Sequence, residues 1–150
     1  MTRDVQTQQI DYRAAFKHVP GSACLMTSDF AILDVCDDFV ELTGRQLDDI
    51  VGRSFFDVFP ANPQSSENSG RHELCAALVE AARTGERIVK KPNQYDVEDP
   101  GRPGVFEERF WFGVITPVLD DDGQVTMIAL WGSDVTPVIT QLRAQTATLG

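Results

Sequence analysis

Two apolar segments near the C-terminus, separated by a short acidic turn, limit the possible folds of this chain more than any other part of it. The first, 106–118, reads FEERFWFGVITPV, and the second, 125–133, reads VTMIALWGS. Apolar and charged residues alternate in the first segment, as in a strand, and both of its faces become apolar towards its end. The intervening LDDDGQ contains Asp-Gly, a strong hairpin signal. A long antiparallel hairpin is therefore predicted.

Three further strands are predicted from shorter segments. Residues 23–27 and 31–35 flank the short polar turn SDF and are typical of a second hairpin. Residues 87–97 form a weaker candidate, because Pro92 lacks the N–H that a sheet ladder needs. That proline indicates an edge strand or a bulge.

Helical patterns fill the rest of the chain. A stripe over 5–19 predicts an amphipathic helix, with Gln9 filling one step of a 4-3-4-3 spacing formed by Val5, Tyr12, Phe16 and Val19. Short helical pieces follow over 37–60, a polar loop over 61–71 and a longer helix over 72–83. The order of elements predicts an α+β fold, in which a five-stranded antiparallel sheet carries helices on one face.

The 150 residues suit one domain with a helix at each end. We assign 1–20 to the N-terminal amphipathic helix, 21–136 to the domain and 137–150 to the start of a C-terminal helix. Thr136 is expected to cap that last helix, with Pro137 in its first turn. Its apolar seam of about two heptads is too short to be stable alone, and it consists of Ile139, Leu142, Thr146 and Leu149.

Charge and composition exclude several classes of function. The net charge of −10 argues against binding to nucleic acid or to an anionic membrane surface. The chain has no apolar run near the ~20 residues that span a bilayer, and its N-terminus lacks the apolar core of a signal peptide. Cys24, Cys36 and Cys75 are scattered and odd in number, which favours reduced, core-filling thiols and a cytoplasmic protein.

Several motifs, in this order, resemble the PAS (Per-Arnt-Sim) domain family. SDFAILDVCDDFVELTGRQLDDIVGRSFFDVFP (28–60) is similar to the front half of the family, with its Thr43-Gly44 pair. TGERI (84–88) resembles the turn after the long helix, and 95–125 resembles a bacterial sensory-box subgroup found upstream of histidine kinases and other effectors. The closing Asp134-Val135-Thr136 matches the Asp-Ile-Thr type of ending. Cys36 replaces a common asparagine, so we expect Asp37 or Asp38 to take over its capping task.

The resemblance raises two cofactor possibilities. A flavin adduct requires a cysteine after the Gly-Arg turn, and the stretch Gly52-Arg53-Ser54-Phe55-Phe56 contains none, which argues against it. A haem sensor would use a histidine near the long helix, and His72 is the candidate. His72 follows a loop-like Ser-Gly-Arg and lacks aromatic neighbours, which favours an exposed residue. The cofactor is therefore left unknown.

Catalysis has little support in the sequence. Glu107 and Glu108 are adjacent on a strand, so they point to opposite faces and cannot form a close carboxylate pair. The other acidic pairs fall in turns and helix starts, where acids are expected. We therefore expect a non-catalytic domain without a metal site.

The family fold implies a small-molecule pocket between the sheet and the short helices. Apolar residues would line it and Tyr95 and Arg109 would add polarity, although these side chains could simply fill the core. The predicted lining comprises Leu25, Leu33, Phe39, Phe55, Leu78, Tyr95, Arg109, Phe112, Ile128 and Leu130.

The leading hypothesis is a sensor that passes a conformational signal to a downstream effector domain, such as a histidine kinase of a two-component system. Asp134 and Thr136 are the expected signal-transfer residues. A homodimer is expected through Tyr12, Phe16 and Val19. Two alternatives remain, a dimerisation module without a ligand and a haem-based gas sensor.

Overall fold

The structure is a computed structural model that describes residues 9–64 and 69–149. The described residues form a five-stranded sheet, a two-stranded ribbon and six helices. In chain order these are α1 Tyr12–Lys17, β1 Ser22–Met26, β2 Ile32–Val35, α2 Asp37–Thr43, α3 Leu47–Ile50, α4 Phe55–Val58, α5 Ser69–Thr84, β3 Ile88–Gln94, β4 Val97–Glu98, β5 Phe106–Glu107, β6 Phe110–Leu119, β7 Val125–Asp134 and α6 Thr136–Leu149.

The predicted C-terminal hairpin forms the centre of the large sheet. Its strand order is β2-β1-β7-β6-β3, and all neighbours are antiparallel. Helices α2 and α5 contact one face of this sheet. The predicted α+β architecture is therefore confirmed.

The core lies between this inner face and the helices. Met26, Ile115 and Ile128 from the sheet and Leu78 from α5 are fully buried. Burying each such side chain stabilises the fold by roughly 1.5–3 kcal/mol before entropic costs. Phe39, Phe55 and Phe59 cluster edge-on or tilted at the helical side, with ring centroids 4.9 Å to 5.6 Å apart. The core is closed on the helical side mainly by these aromatic rings.

The expected strand over 106–118 is broken at Glu108 and Arg109. At the break the Tyr95 N–H still donates to the Arg109 carbonyl at 2.9 Å. The Arg109 N–H donates instead to the Asp96 carboxylate at 3.4 Å, so the backbone ladder is interrupted there. Phe106–Glu107 pairs instead with Val97–Glu98 in the separate ribbon. The expected edge strand with a bulge is confirmed, because β3 is the last strand of the sheet and its register shifts between Lys90 and Asn93.

The N-terminal helix is shorter than the predicted 5–19. It begins at Tyr12 because the Asp11 carboxylate accepts a hydrogen bond from the Ala14 N–H at 3.0 Å and acts as the N-cap. The first eight residues, which include Val5, lie outside the described residues. Arg13 and Lys17 approach the Asp34 carboxylate at 3.7 Å and 3.5 Å, which attaches the helix to β2.

The C-terminal helix, α6, extends from the end of β7 and is mostly exposed. Leu142 of the predicted apolar seam is 53% exposed and Ile139 is half-buried, while Val138, which lies outside that seam, is 55% exposed. The side chain of Leu149 lies outside the described residues. None of the described helices has the length and apolar character to cross a membrane.

Candidate functional site

A small cavity lies between the inner face of the sheet and the helical side. Its volume is about 90 Å³. It is lined by residues from β1, α2, α4, α5, β3, β4, β6 and β7 and from the segments that follow α4 and β3. These are Ser22, Cys24, Phe39, Thr43, Phe55, Phe59, Leu74, Lys90, Asn93, Tyr95, Val97, Trp111, Gly113, Leu130, Trp131 and Gly132.

Two glycines form the floor of this cavity. Gly113 of β6 is the register partner of Gly132 of β7, and Gly132 in turn pairs with Ser22 of β1. On the other side Gly113 pairs with Lys90 of β3. These four residues form one row across β1, β7, β6 and β3. The row has a polar side chain at each end, Ser22 and Lys90, and only glycines between them. A glycine within a strand often marks a close approach of a ligand or another backbone.

Two hydrogen bonds tie the aromatic walls together. The Tyr95 hydroxyl donates to the Phe59 carbonyl, and the Trp111 indole N–H donates to the Tyr95 carbonyl at 2.9 Å. Burial raises the pKa of Tyr95, although Arg71 lowers it in part. Tyr95 is therefore a neutral hydrogen-bond donor that holds the segment after β3 against α4.

Lys90 and Asn93 give the cavity its polar side. Burial lowers the pKa of Lys90, and the nearby Glu73 carboxylate opposes that shift. Neither side chain makes a hydrogen bond or a salt bridge within 4 Å to another residue of the described ranges 9–64 and 69–149. Both groups are thus available to a bound molecule.

The ribbon of β4 and β5 closes one end of the cavity. Arg45, which follows α2, forms a salt bridge to Glu98 at 3.3 Å, with about a fifth of each side chain exposed. Gly44 packs against Pro100, since an added Cβ would lie 2.9 Å from the Pro100 Cγ atom. These contacts hold Val97 in the cavity wall.

The thiols on this side are structural. Burial, followed by the nearby Cys36 and Asp34, raises the pKa of Cys24 to about 12, so its thiol is protonated and unreactive at neutral pH. Cys36 Sγ accepts from the Ala23 N–H at 3.2 Å and donates to the Gly21 carbonyl at 3.1 Å. The expectation that Asp37 or Asp38 would cap α2 was wrong. Neither caps the helix, but Asp38 Oδ2 accepts from the Gly21 N–H at 3.0 Å, so Asp38 and Cys36 together tie the two backbone segments.

The junction between β7 and α6 lies next to the cavity. Asp134 Oδ1 accepts from the Thr136 N–H at 2.9 Å, and Asp134 Oδ2 lies 3.5 Å from the Arg109 guanidinium. Thr136 was predicted to cap α6, but its hydroxyl accepts from the Phe110 N–H at 2.9 Å, at the start of β6. Asp134 and Thr136 therefore join α6 to both central strands.

Trp111 connects this junction to the cavity. It lines the cavity and is the register partner of Asp134 across β6 and β7. The guanidinium of Arg143 in α6 lies over the ring of Phe110, the residue before Trp111, at 4.8 Å from the ring centre. Two residues that hold α6 are therefore the register partner and the chain neighbour of a residue that lines the cavity.

Four of the predicted lining residues lie around the cavity, namely Phe39, Phe55, Tyr95 and Leu130. Leu78 and Ile128 are completely buried in the core beside it. Arg109 does not line the cavity; its half-buried side chain is held by salt bridges to Glu107 at 3.0 Å and to Asp134 at 3.5 Å.

The other three predicted lining residues lie away from the cavity for reasons of strand geometry. Leu25 and Phe112 alternate with residues that face the cavity, so they belong to the opposite face of the sheet. Leu33 is the extra residue of a bulge in β2, because Met26 pairs with Ile32 and Leu25 pairs with Asp34. Its side chain is 40% exposed.

The sequence reasoning missed Trp111, Lys90 and the two glycines. Both faces of β6 carry apolar residues, so the sequence did not show whether the odd-numbered or the even-numbered residues of this strand face inward. The pair Gly113 and Gly132, each in the middle of a strand, was the available signal, because glycine weakens a strand unless the space is needed.

The remaining predicted residues lie outside the cavity. Tyr12 is 74% exposed and Val19 is exposed, whereas Phe16 packs against the core. His72 is exposed on α5 and, with Arg71 and Cys75, borders a separate surface depression.

Comparison with known proteins decides the family. A family model described as the PAS fold matches residues 16–139. The chain belongs to the PAS fold family. PAS domains are commonly sensory and signalling modules and are generally non-catalytic. Among curated proteins, no sequence matches this PAS chain.

Solved structures share this PAS fold at low sequence identity. A PAS domain from Colwellia psychrerythraea has a TM-score of 0.65 at 11% identity, over 84% of this chain and 95% of that one. A sensory box sensor histidine kinase from Vibrio cholerae has a TM-score of 0.52 at 16% identity, over 83% and 89%. An RNA-binding Light-Oxygen-Voltage receptor has a TM-score of 0.66 at 17% identity, over 92% of this chain but only 36% of that one. The chain thus spans about a third of that receptor's length.

Proposed function

We propose that this PAS domain is a non-catalytic sensor, in which a small molecule in the Gly113–Gly132 cavity changes how α6 is held. The observation that carries the proposal is the pairing of Trp111 with Asp134. One residue lines the cavity, and the other holds the first residue of α6. A ligand that binds two arrangements of this pair with different affinities shifts the population between them.

The output is proposed to pass along α6 to a downstream effector domain, such as a histidine kinase. The exposed apolar residues Val138 and Leu142, four residues apart on one face of α6, support this, because an amphipathic helix with uncovered apolar residues is suited to pairing with another helix. We further propose a cytoplasmic location, which the free thiols of Cys24 and Cys36 support.

A homodimer is a compatible second proposal. Tyr12 on α1 is 74% exposed, and with Val138 and Leu142 it supplies apolar surface for a second copy. Phe16 contributes indirectly, because it fixes α1 on the core. The haem alternative gains no support from His72, whose side chain is exposed outside the cavity.

Xenon is a suitable first probe, because it enters small apolar cavities without needing a polar partner. Two-dimensional amide NMR spectra recorded under xenon should show shifts of Gly113 and Gly132, followed by shifts of α6 amides. The Gly113→Ala variant is the control, since the added methyl group occupies the floor. Shifts of the glycine amides without any change in α6 would contradict the proposed signal path.

A further inference from the structure

The row of residues across the cavity floor indicates the chemistry of its occupant. Ser22, Gly132, Gly113 and Lys90 are successive register partners across β1, β7, β6 and β3. Gly113 leaves the floor open, because an added Cβ there would meet nothing closer than the Trp131 carbonyl oxygen at 3.7 Å. At Gly132 the Trp111 ring already lies 3.4 Å from the position of an added Cβ, so a molecule can lie on the backbone at Gly113, beside that ring. At one end it meets the Ser22 hydroxyl, and at the other the Lys90 ammonium group.

The rest of the lining is mainly apolar. The Trp111 indole N–H and the Tyr95 and Thr43 hydroxyls already donate to backbone carbonyls. Lys90 therefore supplies the cavity with a positive charge and with uncommitted donors. The Glu73 carboxylate acts on Lys90 electrostatically. Among the described residues, however, no salt bridge within 4 Å joins the two side chains. A half-buried cation of this kind is stabilised by an anion placed beside it.

The size of the cavity limits the occupant. A dry cavity of roughly 150 Å³ holds benzene. A cavity of about 90 Å³ therefore admits a smaller molecule, or one whose end protrudes from the cavity. Lys90 is on the edge strand, where a polar end can keep partial contact with water. The geometry therefore favours a short apolar body with its charged end at β3.

We propose that the ligand is a small monocarboxylate with an apolar tail, whose carboxylate pairs with Lys90 and whose tail lies over Gly113 beside the Trp111 ring. Asn93, three residues further along β3, adds an amide donor on the same side of the cavity. Phosphate-sized dianions fit less well, because the apolar walls leave most of their charge without partners. The inference rests on the proposed ligand-binding function and assigns a chemical class to that site.

The test compares two probes of nearly equal shape, butyrate and its neutral analogue butanamide. Titrations followed at the Gly113 and Gly132 amides should give tighter binding for butyrate by about 10- to 100-fold, the range for a charge-assisted hydrogen bond. Lys90→Met should remove this preference and leave butanamide binding within about threefold. Lys91→Met is the matched control, because Lys91 is exposed on the same strand and its substitution makes the same change in net charge.

The outcomes separate the two levels of the proposal. Equal binding of butyrate and butanamide to the wild-type protein, which needs no variant, overturns the carboxylate assignment and leaves the cavity as a ligand site. Loss of the preference in Lys91→Met as well as in Lys90→Met would show a non-specific charge effect and would also overturn it. If xenon, butyrate and butanamide all leave the glycine amides unmoved, the ligand site itself is refuted.

Discussion

Trp111 of β6 and Asp134 of β7 are direct register partners, so a wall of the cavity lies beside the carboxylate that holds the start of α6. Paired residues on antiparallel strands lie about 4.5–5.5 Å apart at Cβ and point to the same face. The two side chains are therefore adjacent, with no residue between them, so a movement of one changes the surroundings of the other. This short distance is the physical basis of the signal path proposed here.

Filling the cavity floor should stabilise the protein while abolishing probe binding. At Gly113 an added Cβ would lie 3.7 Å from its nearest neighbour, the Trp131 carbonyl oxygen, so alanine fits there. Gly113→Ala should raise the free energy of unfolding by about 0.4–1 kcal/mol, because the unfolded chain loses freedom. Urea unfolding measures this. Gly123→Ala is the control, since its φ of +79° is strained for alanine, and it should destabilise.

The Tyr95 hydroxyl should contribute more to stability than an exposed tyrosine does. Tyr95→Phe leaves the Phe59 carbonyl without its donor, which should cost about 1–3 kcal/mol in unfolding free energy. Tyr12→Phe removes the same atom from an exposed side chain and should change stability by less than about 0.5 kcal/mol. Equal effects of the two substitutions in urea unfolding would show that the Tyr95 hydrogen bond is not part of the fold.

Thr136 should hold α6 to β6 through its hydroxyl. In Thr136→Val the Phe110 N–H loses its acceptor, so the amide of Phe110 should exchange with solvent faster, by about 10-fold for a loss of about 1.4 kcal/mol. Hydrogen-exchange NMR measures this rate directly. Thr140→Val is the matched control, because Thr140 is an exposed residue one turn further along α6. An unchanged rate for Phe110 in Thr136→Val would be the adverse result.

Cys24 should make the protein less stable at alkaline pH. Its pKa is about 12 in the fold against 9.0 for an unburied thiol, so above pH 9 the unfolded chain releases a proton that the native state retains. Unfolding is favoured as that proton leaves, and at pH 10.5 the free energy of unfolding should have fallen by about 2 kcal/mol from this group. Urea unfolding at pH 8 and pH 10.5 should show a drop that is smaller by this amount in Cys24→Ala. An identical drop in both proteins would mean that Cys24 is ionised in the fold.

The sequence predicted the arrangement of strands better than the inward faces of those strands. The Asp-Gly turn and Pro92 determine local geometry through residues that few conformations tolerate, and both predictions are confirmed. Phe112 and Trp111 are both aromatic, so alternation alone did not show that Trp111 faces the cavity. The break at Arg109 depends on the carboxylate of Asp96, which accepts from the Arg109 N–H and lies 13 residues earlier in the chain.

The site was only partly predictable for a similar reason. Phe39, Phe55 and Leu130 were found because large apolar residues were sought. Gly113 and Gly132 leave room in the cavity wall because they have no side chains. They become adjacent only when β6 pairs with β7. The role of Thr136 was also misassigned, because helix capping is a local rule whereas its acceptor role depends on a strand 26 residues away.

The exchange rate of the Ile139 amide tests the central claim most directly. Its N–H donates to the Val135 carbonyl at 3.0 Å in the first turn of α6, next to the Asp134 junction. With xenon in the cavity at about twice its dissociation constant, full coupling should slow exchange of this amide about threefold. In Asp134→Asn the glycine amides should still report xenon, while the Ile139 rate stays constant. A wild-type protein that binds xenon and leaves the Ile139 rate unchanged would contradict the account.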